Sequence, residues 1–279
     1  MFAKLLKHEW RGTAGTLGLL SLIALGMGVV GILDLRVILH IVSGPKPENS
    51  VIILLMVPMI LFLFLGVIAL GVYIAAVYVL LMYRFYKNKF TDEGYLTFTL
   101  PVTNHQIFLS SLVNILIWML ISALVIIAVV AMVLFFGIGP EGWLNGDLVQ
   151  LLRDIFEDFF EFVWDLSPFT CIVNVLYGLV SVVASPVITM ACLTVGAVVA
   201  KKHKILASIG IMYAVSSLAS IVSGVLMMAL LIFTMSLENP DEIQMTNLMT
   251  LIKCVMTLGL GIGSYFLATH LMKHKLNLP

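Results

Sequence analysis

The chain has 279 residues, 61% of them hydrophobic and only 11% charged, with a mean hydropathy of +1.13. Soluble domains carry about 25% charged residues, so a soluble domain is excluded. Net charge is zero, with 15 Lys and Arg against 15 Asp and Glu, and no nucleic-acid partner is expected.

The chain opens with a short amphipathic stretch, residues 1–12. Phe2, Leu5, Leu6 and Trp10 fall on one helical arc, and Lys4, Lys7, His8 and Arg11 fall opposite. This pattern predicts an elbow helix in the membrane interface; a plain juxtamembrane anchor of Lys and Arg fits it equally. Glu9 lands inside the apolar arc, where an acid needs a partner. A signal peptide would start in the same way, but no small-residue cleavage pattern follows, and an uncleaved first helix is expected.

Six apolar runs follow, at about 14–33, 51–83, 106–136, 168–200, 205–236 and 247–270. About 20 helical residues cross a hydrocarbon core, so each run suffices, and the four longest imply tilt or helices that project beyond it. Between spans the longest stretch, Gly137 to Ser167, is too short for an independent core. A single transmembrane domain over 1–279 is therefore expected. Pro58 and Pro186 lie inside spans, where kinks are expected. Gly259 and Gly263 form a G-x-x-x-G that predicts close helix packing, as do Gly26, Gly28 and Gly31. Cys171, Cys192 and Cys254 lie in or beside apolar runs and do not suggest a disulfide framework.

The loops alternate in sign. Lys4, Lys7, Arg11, Arg84, Lys87, Lys89, Lys201, Lys202, Lys204, Lys273 and Lys275 fall on one side, with only Glu9, Asp92 and Glu93 among the acids. Arg36, Lys46, Arg153 and Lys253 fall on the other. The positive-inside bias makes the basic side cytoplasmic, with both termini inside a multi-pass plasma-membrane protein.

Between spans two and three, residues 91–100 carry their own helix signals. Asp92 can cap a short helix, Leu96 and Leu100 share a face, and Pro101 ends it. Thr103 and Gln106 then form a T-x-x-Q capping box opening span three. A helix lying on lipid fits this segment as well. Between spans three and four, residues 148–166 form a second amphipathic helix. Asp154, Glu157, Asp158, Glu161 and Asp165 recur at spacings of three and four, making one acidic stripe. It could gate an exit path or attract cations; it could also be an interfacial anchor holding aromatics at the headgroups.

The middles of all six spans lack Asp, Glu, Lys, Arg and His, which argues against proton- or sodium-driven exchange. There is no H-E-x-x-H and no G-x-x-x-x-G-K-[ST], so neither a zinc protease nor a P-loop ATPase is expected, and no catalytic residue or metal ligand is assigned. Uphill movement of a cargo would need another subunit's energy.

The run Lys7-His8-Glu9-Trp10-Arg11, six spans with both ends inside, and Asp92-Glu93-Gly94-Tyr95-Leu96 continuing to Leu100-Pro101 together resemble the permease subunits of type-2 ABC exporters. The resemblance covers nearly the whole chain. It implies that Asp92, Glu93, Gly94, Tyr95, Leu96, Leu100 and Pro101 form a coupling helix docking on a separate ATPase, and that Lys7, Glu9, Trp10 and Arg11 belong to the elbow. It further implies a second permease in a homo- or heterodimer, with ATP and Mg bound by the ATPase and no cofactor on this chain. Leu237 to Thr246 is too short for the re-entrant helices many members carry between spans five and six. The fold expected is all-α and polytopic: six transmembrane helices, elbow, coupling helix and an outer amphipathic helix. The function expected is export of an amphipathic or hydrophobic cargo (peptide, lipid or drug), the alternative being a non-transporting membrane scaffold or sensor component.

Overall fold

The computed structural model describes residues 2–43, 49–91, 94, 99, 101–137, 150, 153, 154, 157, 167–200, 203–235 and 242–274. Its long helices are α1 (Phe2–Ser43), α2 (Asn49–Phe90), α3 (Asn104–Gly137), α4 (Pro168–Val199), α5 (Lys204–Met235) and α6 (Glu242–His274). No strand occurs among the described residues. All six helices are long and apolar enough to cross a membrane, as the hydropathy pattern predicts.

The helices overrun the expected spans. At 1.5 Å per residue, the 42 residues of α1 and of α2 each reach about 63 Å, roughly twice a bilayer core of about 30 Å. The elbow expected over 1–12 is not a separate element, because α1 is helical without a break from Phe2. Its first turns contain no proline, and Gly12 alone is too weak a breaker to end a helix that good formers continue on both sides. At the other end α1 continues past 33 through Leu35, Val37 and Ile38, which carries Asp34 and Arg36 into the helix. Pro58 and Pro186 both lie within unbroken helical assignments.

Packing divides the chain into two compact units. One comprises Lys7–Leu81 and Ile117–Phe160. In it α1 buries a narrow stripe, Glu9, Thr13, Leu17, Ser21, Ala24 and Gly28, at spacings of four and three. Small and polar residues occupy this stripe because the neighbours come close. Val129 Cγ1 lies 3.1 Å from where a Cβ on Gly28 would be, and Val133 Cγ2 lies 3.3 Å from one on Gly31. The Trp118 indole donates to Thr13 Oγ1 at 2.9 Å and stacks on Trp10 with ring centroids 4.9 Å apart. Ser21 and Tyr73 share a buried hydroxyl hydrogen bond of 2.9 Å. Contacts advance together from Trp10–Trp118 through Gly28–Val129 to Arg36, whose Nε donates to the Phe136 carbonyl at 2.9 Å; α1 and α3 are therefore parallel.

The other unit comprises Met1–Leu6, Met82–Leu116 and Glu161–Pro279. Here α4 packs on both α5 and α6. Ser167 caps α4 by accepting from the Thr170 N–H, and Thr170 Oγ1 also accepts a buried bond of 2.8 Å from Asn247 Nδ2 on α6. Such interhelical bonds in membranes contribute about 0.6 kcal/mol on average. The α6 glycine in close contact is Gly261, whose added Cβ would sit 3.1 Å from Ala184 Cβ. The expected packing of Gly259 and Gly263 within the chain does not occur, nor does that of Gly26, since a Cβ at each would meet nothing within 4 Å among the described residues. Periodicity explains this: Gly261 is two residues from each, on the opposite side of α6.

The tightest approach joins α4 to α5 across a short turn containing His203 at φ 56°, a left-handed conformation uncommon outside glycine. A Cβ on Gly196 would lie 2.6 Å from Ser208 Cα, with the Ser208 hydroxyl also in its way. Backbone cannot yield there. Gly196→Ala should therefore destabilise the detergent-solubilised protein by about 1–3 kcal/mol through overpacking. Gly210→Ala on the open side of α5 should leave thermal stability equal or higher. Thermal melts of the two variants against wild type check the contrast.

Candidate functional site

The turn between α2 and α3 is the part of the expected coupling segment whose supports are best defined. The last two turns of α2 place Phe85 and Lys89 on one line and Tyr86 and Phe90 on the next, each four residues apart. All four are buried, Lys89 to 1% exposure. A cation at this place suits the negative end of the helix dipole, and its long apolar stem packs where a short charged side chain could not. Thr91 Oγ1 then bonds back to the Lys87 carbonyl at 2.6 Å, and the Gly94 N–H donates to the Thr91 carbonyl at 2.8 Å. Gly94 is helical and buried.

The far side of the turn is fixed by the reciprocal bonds of a capping box. Thr103 Oγ1 accepts from the Gln106 N–H at 3.4 Å, while Gln106 Oε1 accepts from the Thr103 N–H at 3.3 Å. Two donors left over by the first turn of α3 are thus satisfied, and Pro101 stands exposed just before it.

A run of rings ties both stems to α6. Phe90 meets Phe85 edge to face at 5.7 Å, Phe85 meets Phe108 at 6.2 Å, and Phe108 meets Tyr265 at 5.4 Å. The Tyr265 hydroxyl is 3.0 Å from His105 Nδ1. Phe108, wholly buried, is the middle of this chain of contacts. Edge-to-face ring pairs contribute about 0.5–1.5 kcal/mol each beyond the area they bury, so these contacts tie the end of α2 and the start of α3 to α6. Nothing in this set pairs a nucleophile with a base; it is a set of ring contacts that puts α6 against both stems of the turn.

The other expected site residues fall as follows. Of the coupling segment, Gly94 and Pro101 are described, whereas Asp92, Glu93, Tyr95, Leu96 and Leu100 lie outside the described residues. Lys7 and Arg11 are exposed, Trp10 is half-buried in its stack, and Glu9 is 5% exposed yet not left without a partner. The buried Glu9 thus opens the contact stripe of α1 in the unit that holds Lys7–Leu81. In the outer segment Gln150, Arg153, Asp154 and Glu157 are helical and exposed. Arg153 Nε lies 3.4 Å from Glu157 Oε1, so one carboxylate of the stripe faces a cation of its own helix. Asp158, Glu161 and Asp165 lie outside the described residues. The described Asp, Glu, His and Cys form no group of three able to hold a metal ion.

The ring brace was missed in the sequence. Phe85, Phe90 and Phe108 could have been flagged by their helical spacing around the turn, but Tyr265 lies 160 residues from His105, and no local pattern points to it. The brace should be measurable. Phe108→Ala should cost about 3–5 kcal/mol by leaving a cavity, whereas Tyr265→Phe, which removes only a hydroxyl, should cost about 0.5–1.5 kcal/mol. Chemical denaturation in detergent micelles would give that order; a loss well under about 3 kcal/mol in Phe108→Ala would show that its ring does not fill the place between the stems.

Compared with protein-family models, with curated proteins and with solved structures, the chain finds no match.

Proposed function

We propose that this chain is the permease subunit of an ATP-driven exporter, pairing with a second permease and with separate ATPase subunits. The observation carrying this reading is the ring-braced turn between α2 and α3, which anchors both ends of the 91–100 segment whose residues resemble a coupling helix. In this reading Asp92 to Leu100 docks on the ATPase. Hydrolysis there moves the turn, and the Phe90–Phe85–Phe108–Tyr265 contacts pass the motion to α6. ATP and Mg belong to the partner, and this chain supplies the path and not the chemistry. The side carrying most of the Lys and Arg, with both termini, is cytoplasmic, and the membrane is the plasma membrane.

An amphipathic or hydrophobic cargo suits the composition of the spans, which offer apolar surface and few fixed charges to hold a small ion or a sugar. The outer acidic helix then stands on the exit side, where its field would act on cationic solutes over a Debye length of about 8 Å. For the second permease, the open face of α6 is the favoured seam. Gly259 and Gly263 present a G-x-x-x-G free of contacts within 4 Å of a Cβ, flanked by exposed Val255, Ile262 and Phe266. Small residues at this spacing let two helix backbones approach closely.

Cysteine at Tyr95 or Leu96 should crosslink to a co-expressed ATPase of the same operon or complex. Tyr265→Leu should keep that crosslink but reduce permease-dependent ATP hydrolysis by about tenfold, as expected when about 1.4 kcal/mol of coupling is lost. A protein that crosslinks but never alters hydrolysis would be a scaffold instead.

The dimer makes a separate prediction. Gly259→Leu should convert the crosslinkable dimer in membranes to monomer while Gly261 keeps α6 seated on α4, so monomer stability is retained. Undiminished dimer would place the seam elsewhere.

A further inference from the structure

Within the unit formed by Lys7–Leu81 and Ile117–Phe160, α1, α2 and α3 enclose a cleft of about 520 Å³, inside the range of small-molecule sites of about 300–1,000 Å³. Gly28, Gly31 and Gly66 line it together with Phe62 and Val133. Every lining residue is apolar or glycine except Asp34. The Asp34 Oδ2 is shut off from solvent and makes no hydrogen bond among the described residues. Its nearest cation in sequence, Arg36, projects from another side of α1 and gives its Nε to the Phe136 carbonyl at 2.9 Å.

A carboxylate oxygen without a donor in apolar surroundings is costly, and a cation with N–H donors or a compact positive head, reaching Asp34 from the cleft as its carboxylate turns about χ2, would offset that cost. An apolar trough alone would accept any hydrocarbon chain. The acid at one end makes the site selective. From Asp34 to Met27 the trough follows α1 for about 10 Å at 1.5 Å per residue, enough for an extended tail beyond the head. Exposed Val30, Leu65 and Val67 border it, so it opens toward the side that faces lipid and an amphiphile can enter from the bilayer.

We propose that this cleft binds a single-chain cationic amphiphile, its ammonium group on Asp34 and its tail along Gly31, Gly28 and Gly66. This goes beyond the export reading and stands whether or not the chain moves cargo.

The test uses the full chain in phosphatidylcholine nanodiscs and two photoreactive hexadecyl probes, one with an ammonium head and one with a sulfate head. In wild type the ammonium probe should label residues 27–34 and 62–70 about ten- to a hundredfold more than the sulfate probe, the advantage of a charge-assisted hydrogen bond. Asp34→Asn should bring the two probes level, and Asp34→Glu should keep the preference. Gly66→Phe should block both probes by filling the trough, and it fits the fold because a Cβ at Gly66 meets nothing within 4 Å. Equal labelling by both heads in wild type would overturn the proposal without any variant, as would a preference that survives Asp34→Asn or labelling that survives Gly66→Phe. Crosslinking of this trough to a second copy of the chain, with no probe bound, would also overturn it.

Discussion

Inside hydrocarbon there is no water to satisfy a backbone N–H or carbonyl, and this one constraint shapes the chain more than any side chain does. It forces each crossing into an unbroken helix, which is why α1 and α2 stay helical across 42 residues each and why Pro58 and Pro186 occur within helices without ending them. It also removes the usual adhesive. Lipid tails are as apolar as Leu or Val, so burying one of these against another helix yields little. What holds the helices together has to be close approach and the occasional hydrogen bond. The contacts are of that kind: Gly28 on Val129, Gly261 on Ala184, Gly196 on Ser208, and the bonds Ser21–Tyr73, Trp118–Thr13 and Asn247–Thr170. The large exposed side chains, from Leu22 on α1 to Phe266 on α6, are solvent-facing only in the sense that lipid is the solvent.

Charge concentrates at the helix ends. Most side chains in mid-span offer only shape, whereas helices longer than the bilayer carry surface into water, where charges and amphipathic turns can act. The end of α2 illustrates this. Lys87 and Lys89 complement the helix dipole there, the Thr91 hydroxyl ties down a carbonyl that the helix cannot use, and aromatic rings replace the glycine contacts found deeper in the bundle. Rings provide what small residues cannot: a large contact area with a preferred edge-to-face geometry.

Much of the fold was legible because hydropathy and length report directly on the bilayer constraint. Six runs became six helices, and the Thr103–Gln106 box is readable because its two bonds lie within four residues of chain. Helix limits were less legible. A run of hydrophobicity ends where lipid ends, but a helix ends where its backbone loses partners, so α1 passes through 1–12 and beyond 33 although its polarity changes at both places. Helix pairing was not legible at all. Gly259 and Gly263 carry the familiar spacing and Gly261 does not, yet Gly261 is the one against Ala184, because which face of α6 turns inward depends on α4 and not on α6. The same holds for the site: its capped turn was visible, and its brace through Tyr265 was not.

The extent of α1 also bears on how the chain can be energised. With the span ending at 33, the middle of the first span holds no ionisable group; with α1 helical to Ser43, Asp34 and Arg36 come within its apolar stretch. A relay, however, needs a succession of groups that pass a proton or ion from one to the next. Asp34 looks into a cleft otherwise lined by apolar residues and glycine, and Arg36 is bonded to a backbone carbonyl that cannot titrate. One carboxylate so placed sets the charge of the cleft, but among the residues lining that cleft it has no second group to hand a proton to. Selection and energy are therefore separable in this chain: a lone charge among its helices can bear on the first without supplying the second.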